Sequence, residues 1–247
     1  MSKRLLLDTL DDFAARNIVA DLWLRDDDAV EPTPALDRFL NLCGEFAIPP
    51  TLAVIPEPTG KALAAHLGKY AEVDVAVHGW AHRNHAGPQE KKRELGLHRP
   101  LDLVLGELRQ GLAKLQALHG DRCVPMLVPP WNRIDAEVIE CLPDLGYKAL
   151  SVYGPEEETS LSLLNTHIDV IDWRGSRGGK DHDTLFADIA MRLRTAHGSG
   201  RMTGILTHHL DHDETVWAFL RSLFEVTSRH PACRWRSSRL WLKEISP

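Results

Sequence analysis

Two pairs of side chains stand out for the chemistry they would perform together. Asp26 and Asp27 close the apolar run Ile18-Val19-Ala20-Asp21-Leu22-Trp23-Leu24, and far along the chain His78 and His82 follow the run Val73-Asp74-Val75-Ala76-Val77. One carboxylate and two imidazoles suit a divalent ion with an open coordination position, as in hydrolytic metal sites. The neighbouring carboxylate remains available to take a proton. Both runs are rich in β-forming residues, so each functional group is expected where a strand gives way to a loop.

In His78-Gly79-Trp80-Ala81-His82 the histidines stand four apart, and a helical turn opening at Gly79 would aim both rings at one ion. Among 13 histidines such a pair is by itself more often surface decoration. The second position lacks the glutamate of the H-E-x-x-H metalloprotease pattern, so another residue must act as base. Leu24-Arg25-Asp26-Asp27-Asp28 offers one. Three consecutive carboxylates repel one another, and the plainer reading is a solvated loop, but a nearby cation reverses that: one aspartate ligates while its neighbour accepts a proton.

Strands are expected near 18–25, 51–55, 73–77, 124–128, 148–153, 167–171 and 204–207. Helices are expected near 34–46, 61–70, 101–118, 136–142, 184–195 and 214–228. An amphipathic segment over 5–17, with Leu6, Leu10, Phe13 and Ala14 on one face, reads as a covering helix. Parallel strands need crossovers of this length, and closing seven of them gives a barrel-like sheet with a shared face at the strands' carboxyl ends. Asp26 and Asp27, His78, Pro129-Pro130-Trp131, Asp172-Trp173 and His208-His209 all fall at such ends. The domain reading is a covering helix over residues 1–17 and one barrel domain over 18–247.

These segments together resemble the polysaccharide deacetylase family, carbohydrate esterase family 4. Its T-F-D-D-G motif is similar to Leu24-Arg25-Asp26-Asp27-Asp28, and H-[ST]-x-x-H to His78-Gly79-Trp80-Ala81-His82. R-x-P-[YF]-G is similar to Val128-Pro129-Pro130-Trp131-Asn132, D-x-x-D-W to Asp169-Val170-Ile171-Asp172-Trp173, and L-x-L-H-D to the segment ending Leu206-Thr207-His208-His209. The resemblance implies a distorted (β/α)7 barrel and metal-dependent removal of an acyl group from nitrogen. It implies Asp27, His78 and His82 as metal ligands, zinc being the expected ion, with Asp26 as general base and His208 as general acid. Asp172 would tune that acid, while Pro130, Trp131, Trp173 and His209 would line the substrate site; the Trp131 N–H is a separate candidate to polarise the carbonyl oxygen.

Three positions depart from the pattern. Asp28 stands in place of glycine, and Val128 in place of the arginine that supports the catalytic aspartate; Arg25, Arg133 and Arg174 are candidates to restore that charge, each more simply read as a surface residue. His209 stands where aspartate is usual, leaving the acid between His208 and His209. Strand alternation and the motif register both favour His208. The departures also support an alternative, a metal-holding scaffold that has lost catalysis.

Composition bounds the rest. The net charge of -6 comes from 29 basic and 35 acidic residues scattered through 247, with no basic stripe for nucleic acid or anionic lipid. A saccharide or small amide is the expected partner. Cys43, Cys123, Cys141 and Cys233 have no C-x-x-C spacing and read as free thiols. Leu5-Leu6-Leu7 before Asp8 falls short of the ~7 to 15 apolar residues of a signal peptide, and nothing approaches the ~18 of a membrane span, so a cytoplasmic protein is expected.

Overall fold

Apolar runs bounded by turn residues alternate with amphipathic helices along the whole chain. The computed structural model describes residues 2–157, 159–196 and 201–245. The elements run α1 (Ser2–Ala15), β1 (Ala20–Ala29), α2 (Pro34–Glu45), β2 (Pro50–Val54), α3 (Lys61–Leu67), β3 (Asp74–His78) and α4 (Leu101–His119). They continue with β4 (Cys123–Val128), α5 (Ala136–Cys141), β5 (Ala149–Leu150), β6 (Ser162–Leu163), β7 (Ile168–Asp169), α6 (His182–Ala196), β8 (Thr203–Thr207), α7 (Glu214–Thr227), β9 (Cys233–Trp235) and α8 (Ser238–Ile245). The strands stand in the order β6-β5-β4-β3-β2-β1-β8-β7, with β9 beside β1. The class is the expected one, α/β with parallel strands and helical crossovers in the manner of a distorted (β/α)7 barrel.

The chain divides into two compact units. One comprises Met1–Asp26, Thr33–Pro50 and Thr166–Ser237; the other comprises Asp27–Pro32, Thr51–Asn165 and Ser238–Pro247. In the first, β1 pairs in parallel with β8 from Leu22↔Thr203 to Asp26↔Thr207, and with β9 at Ala20↔Cys233 to Leu22↔Trp235. Helix α1 buries Leu6, Leu10 and Phe13, and it packs against α6, which buries Leu185, Phe186, Ile189 and Leu193. This is the spacing that gives a helix one apolar stripe. Thr33 caps α2 by accepting the Leu36 N–H at 3.0 Å, and Pro34 occupies the first helical position, where a missing N–H costs nothing.

In the second unit, β3 pairs with β2 and β4, and all five of its residues are buried, as a parallel strand covered on both faces requires. Its last residue, His78, is aligned with Val128, the last of β4. The four cysteines are free thiols. Among the described residues no helix is long and apolar enough to cross a membrane.

Several expectations need correction. β1 extends to Ala29, so the aspartates lie inside the strand and not in the loop beyond it, with Asp26 in ladder register with Thr207. Residues 79–82 form no helical turn. Arg25 is fully buried, not a surface residue. The strands β6 and β9, of two and three residues, are too short to carry a period, and the eight-residue helix α8 was not expected.

Candidate active site

The second unit brings three ligand-type groups together. Asp28 Oδ1 lies 3.1 Å from His78 Nε2 and 3.3 Å from His82 Nε2, and the three donor atoms lie within 4.8 Å of one another. Bond lengths of ~2.0 to 2.2 Å at tetrahedral angles place neighbouring ligand atoms roughly 3.3 to 3.6 Å apart, so the grouping fits a zinc-sized divalent ion. His78 Nδ1–H donates to the Val128 carbonyl at 2.9 Å, and the same oxygen accepts the Gly79 N–H at 3.2 Å. The backbone thereby fixes the tautomer that leaves Nε2 with its lone pair for a cation.

The carboxylate in this grouping is Asp28, where the motif register had put Asp27. Asp28 adopts φ 71°, a left-handed conformation that aspartate tolerates better than most residues. That conformation breaks strand alternation at the end of β1. Asp27 is 2% exposed, and its charge acts on both imidazoles. Burial opposes the charged form of His78, but the Asp28 hydrogen bond and the charges of Asp27 and Asp28 outweigh it and raise its pKa. Burial and the neighbouring His78 charge lower that of His82, against the pull of Asp28, Glu94 and Asp27.

Strain concentrates in the same place. Gly79 (φ 58°), His82 (φ 53°), Trp131 (φ 56°) and Asn132 (φ 55°) join Asp28 in the left-handed region. Each such non-glycine residue costs on the order of 1 kcal/mol or more and persists where surrounding structure enforces it, typically at functional sites. Two left-handed kinks, at Gly79 and His82, thus do what a helical turn was expected to do: they bring the rings to 5.1 Å between centroids. The Trp131 ring lies 4.4 Å from that of His82, with the Lys92 ammonium 5.8 Å from the indole. Pro130 is buried, and a Cβ at Gly79 would meet its Cγ at 2.6 Å, so it packs as a wall of the histidine turn.

The first unit holds the other expected groups. Asp26 is fully buried. Its Oδ1 faces His209 Nδ1 at 2.5 Å, while its Oδ2 accepts from the His209 N–H at 2.9 Å and from the Thr207 hydroxyl at 2.7 Å. Burial works to raise its pKa, but His209, by charge and hydrogen bond, together with His212 and Thr207, wins and lowers it. Among the groups that lower the Asp26 pKa His209 comes first, where Arg25, Arg133 and Arg174 were the candidates to supply positive charge. The Arg133 guanidinium instead donates to the Lys92 carbonyl at 2.9 Å. At 1% exposure and with Nδ1 committed to Asp26, His209 does not face substrate as the resemblance implied.

His208 sits half-buried at the end of β8, edge-on to Trp173 at 4.8 Å. The Trp173 Nε1–H donates to Asp169 at 2.8 Å. Burial raises the Asp169 pKa, opposed by the Ile171 N–H and the charge of His208. The charge of His208 thus reaches Asp169, the first aspartate of that motif. Asp172 instead accepts the Gly175 N–H at 3.0 Å and the Ser176 N–H at 3.2 Å, capping the loop beyond Trp173.

Two further histidines give a pH prediction. Burial first, then Arg122, lowers His119 to about 4. Burial, with the charges of His209 and His208, lowers His212 to about 4 against the pull of Asp26 and Asp213. His212 is ringed by Trp217 at 4.5 Å and Phe39 at 6.1 Å. Both groups bind a proton more readily unfolded than folded, so the stability they confer is whole above 6.5 and is lost as pH falls from there toward 4. The urea midpoint should fall steadily between pH 6.5 and 5; a flat midpoint across that window would show that these rings are not held neutral.

Sequence reasoning missed Asp28 as the carboxylate grouped with the two histidines, Asp169 as a carboxylate whose pKa the charge of His208 lowers, and Glu94, whose carboxylate accepts the Ala81 N–H. Asp28 and Asp169 lay within motifs already in view; nothing local to Glu94 marks it.

No protein-family model matches this sequence, and no curated protein matches it. Solved structures do resemble it. A putative polysaccharide deacetylase from Mycobacterium smegmatis superposes with a TM-score of 0.69 at 14% identity, covering 92% of this chain and 90% of that one. A family 4 carbohydrate esterase from Streptomyces lividans, solved with acetate, gives 0.53 at 15% identity over 85% and 86%. A family 4 acetyl xylan esterase from Clostridium thermocellum, solved with a cobalt ion, gives 0.53 at 14% identity over 92% and 93%. At these identities the likeness is one of fold.

Proposed function

We propose, with the fold shared with those deacetylases and esterases as the premise, that this chain is a metal-dependent deacetylase acting on an N-acetylated sugar or related small amide. The observation that carries the reading is the convergence of Asp28, His78 and His82, with the His78 tautomer fixed by the Val128 carbonyl. A nitrogen-rich set with one carboxylate and room for further ligands suits zinc. When bound, such an ion polarises an acyl oxygen and acidifies water.

The chain's own groups take the remaining parts. Asp26, kept anionic by His209 and two places from Asp28 along β1, is the proton acceptor. His208 gives a proton to the leaving nitrogen, because an amine anion is too basic to depart unassisted. The Trp131 N–H donates to the acyl oxygen, a preorganised donor where charge develops. Trp173, 37% exposed, offers an aromatic face to a sugar ring.

The test is acetate release from a panel of N-acetylated mono- and oligosaccharides, with O-acetyl esters alongside, after loading with zinc or cobalt. Release from the N-acetyl compounds is expected. Release from esters alone would move the reaction to oxygen, and metal binding without any release would favour the inactive scaffold.

A further inference from the structure

Glu94 is buried in a loop without helix or strand, 1% exposed, and none of the groups assigned so far explains it. Its Oε1 accepts the Ala81 N–H at 2.8 Å and the Arg83 N–H at 3.2 Å, and its Oε2 accepts the Trp80 N–H at 3.1 Å. Those three amides bracket His82, whose φ of 53° turns the backbone so that its neighbours' N–H groups converge. Such a concave set of amides is an anion-binding nest, and here the anion is built into the chain.

The loop delivers Glu94 to that nest by fixed contacts. Leu95, fully buried, bridges to Ile134, and its carbonyl accepts the Asp135 N–H at 2.9 Å. The Arg93 guanidinium pairs with Asp135, and the Arg93 carbonyl accepts the His85 N–H at 2.9 Å. The segment is therefore stitched to the strained turn holding Trp131 on one side and to the histidine turn on the other. Gly79 completes the fit: a Cβ there would run into Glu94 Oε2, so glycine is required for space as well as for φ.

We infer that Glu94 is a positioning residue for the metal site, its carboxylate holding the residue 80–83 turn so that His82 Nε2 meets Asp28 and His78. This rests on the metal-holding part of the proposed function and does not depend on the substrate. Glutamine at this position retains the shape but presents one acceptor oxygen, and its NH2 would oppose an N–H donor.

The experiment compares wild type with Glu94→Gln and Glu94→Asp by zinc affinity and by the visible spectrum of the cobalt(II)-loaded protein. Glu94→Gln should weaken zinc binding by roughly 10- to 100-fold, as loss of an outer partner of a ligand does, and should shift the cobalt bands. Glu94→Asp, which keeps the charge, should recover part of both. Wild-type affinity and an unchanged spectrum in Glu94→Gln would overturn the inference. Should that variant fail to fold, Gly79→Ala tests the same clamp by displacing the carboxylate, with the same shifts expected and wild-type values again overturning it. Weakened metal binding in an otherwise inactive protein would sink the deacetylase reading and leave this one standing; a wild type that binds neither metal would sink both.

Discussion

Asp28→Asn is expected to lower zinc affinity by at least about 100-fold and to abolish acetate release, while Asp27→Asn does much less to metal binding. The first figure is a floor, because losing an outer partner of a ligand already costs about 10- to 100-fold and losing the anionic ligand itself costs more. Asp28 Oδ1 is the oxygen placed 3.1 and 3.3 Å from the two imidazole nitrogens, whereas Asp27 acts on them through charge. An asparagine at position 28 tolerates the left-handed backbone nearly as well, so the variant removes charge without unfolding the strand end. Equilibrium dialysis of both variants reads the difference directly. Equal and severe losses would make the two carboxylates joint ligands, and a loss confined to Asp27→Asn would restore the motif register.

Asp26→Asn is expected to behave in the opposite way, retaining the metal while turnover falls by about 10²- to 10⁴-fold, the usual worth of a general base. Asp26 makes its contacts to Thr207 and His209 and is not among the grouped ligand atoms. The substitution also leaves His209 facing a neutral amide, so some loss of stability should accompany the loss of rate. Measuring zinc content, urea midpoint and acetate release on the same preparation separates the three effects. Undiminished turnover would remove Asp26 from the mechanism, and Asp27 would then be the carboxylate to examine.

The contrast between Asp27 and Asp28 shows where sequence reading reached its limit. The spacing of His78 and His82, their place at the end of a buried apolar run, and the aspartate cluster in the first strand were all legible, because strand periodicity and ligand chemistry are local properties. Which aspartate meets the histidines was not, since one residue of register exchanges the faces of a strand. The left-handed φ at Asp28 is a tertiary outcome. A third carboxylate in a glycine position looked like a defect in the motif, and it supplies an oxygen 3.1 and 3.3 Å from the two imidazole Nε2 atoms.

The same holds for the two other departures. Val128 lacks a charged side chain, yet its carbonyl fixes the His78 tautomer. His209, where aspartate is usual, hydrogen-bonds Asp26 through Nδ1 at 2.5 Å and helps to lower its pKa, a contact that the motif alone does not reveal. The strand and helix pattern of an α/β fold was recovered from alternating apolar runs, apart from pieces such as β6 and β9 that are too short to carry a period. Glu94 was out of reach for another reason: its role exists only because residues 80–83 curl around it.

The most direct test of the central claim is a crystal structure of the zinc-soaked protein with anomalous data collected at the zinc edge. One ion bonded at ~2.0 to 2.2 Å to Asp28 Oδ1, His78 Nε2 and His82 Nε2 is the expected result. Zinc bound elsewhere, or no anomalous peak at those three atoms at saturating metal, would contradict it.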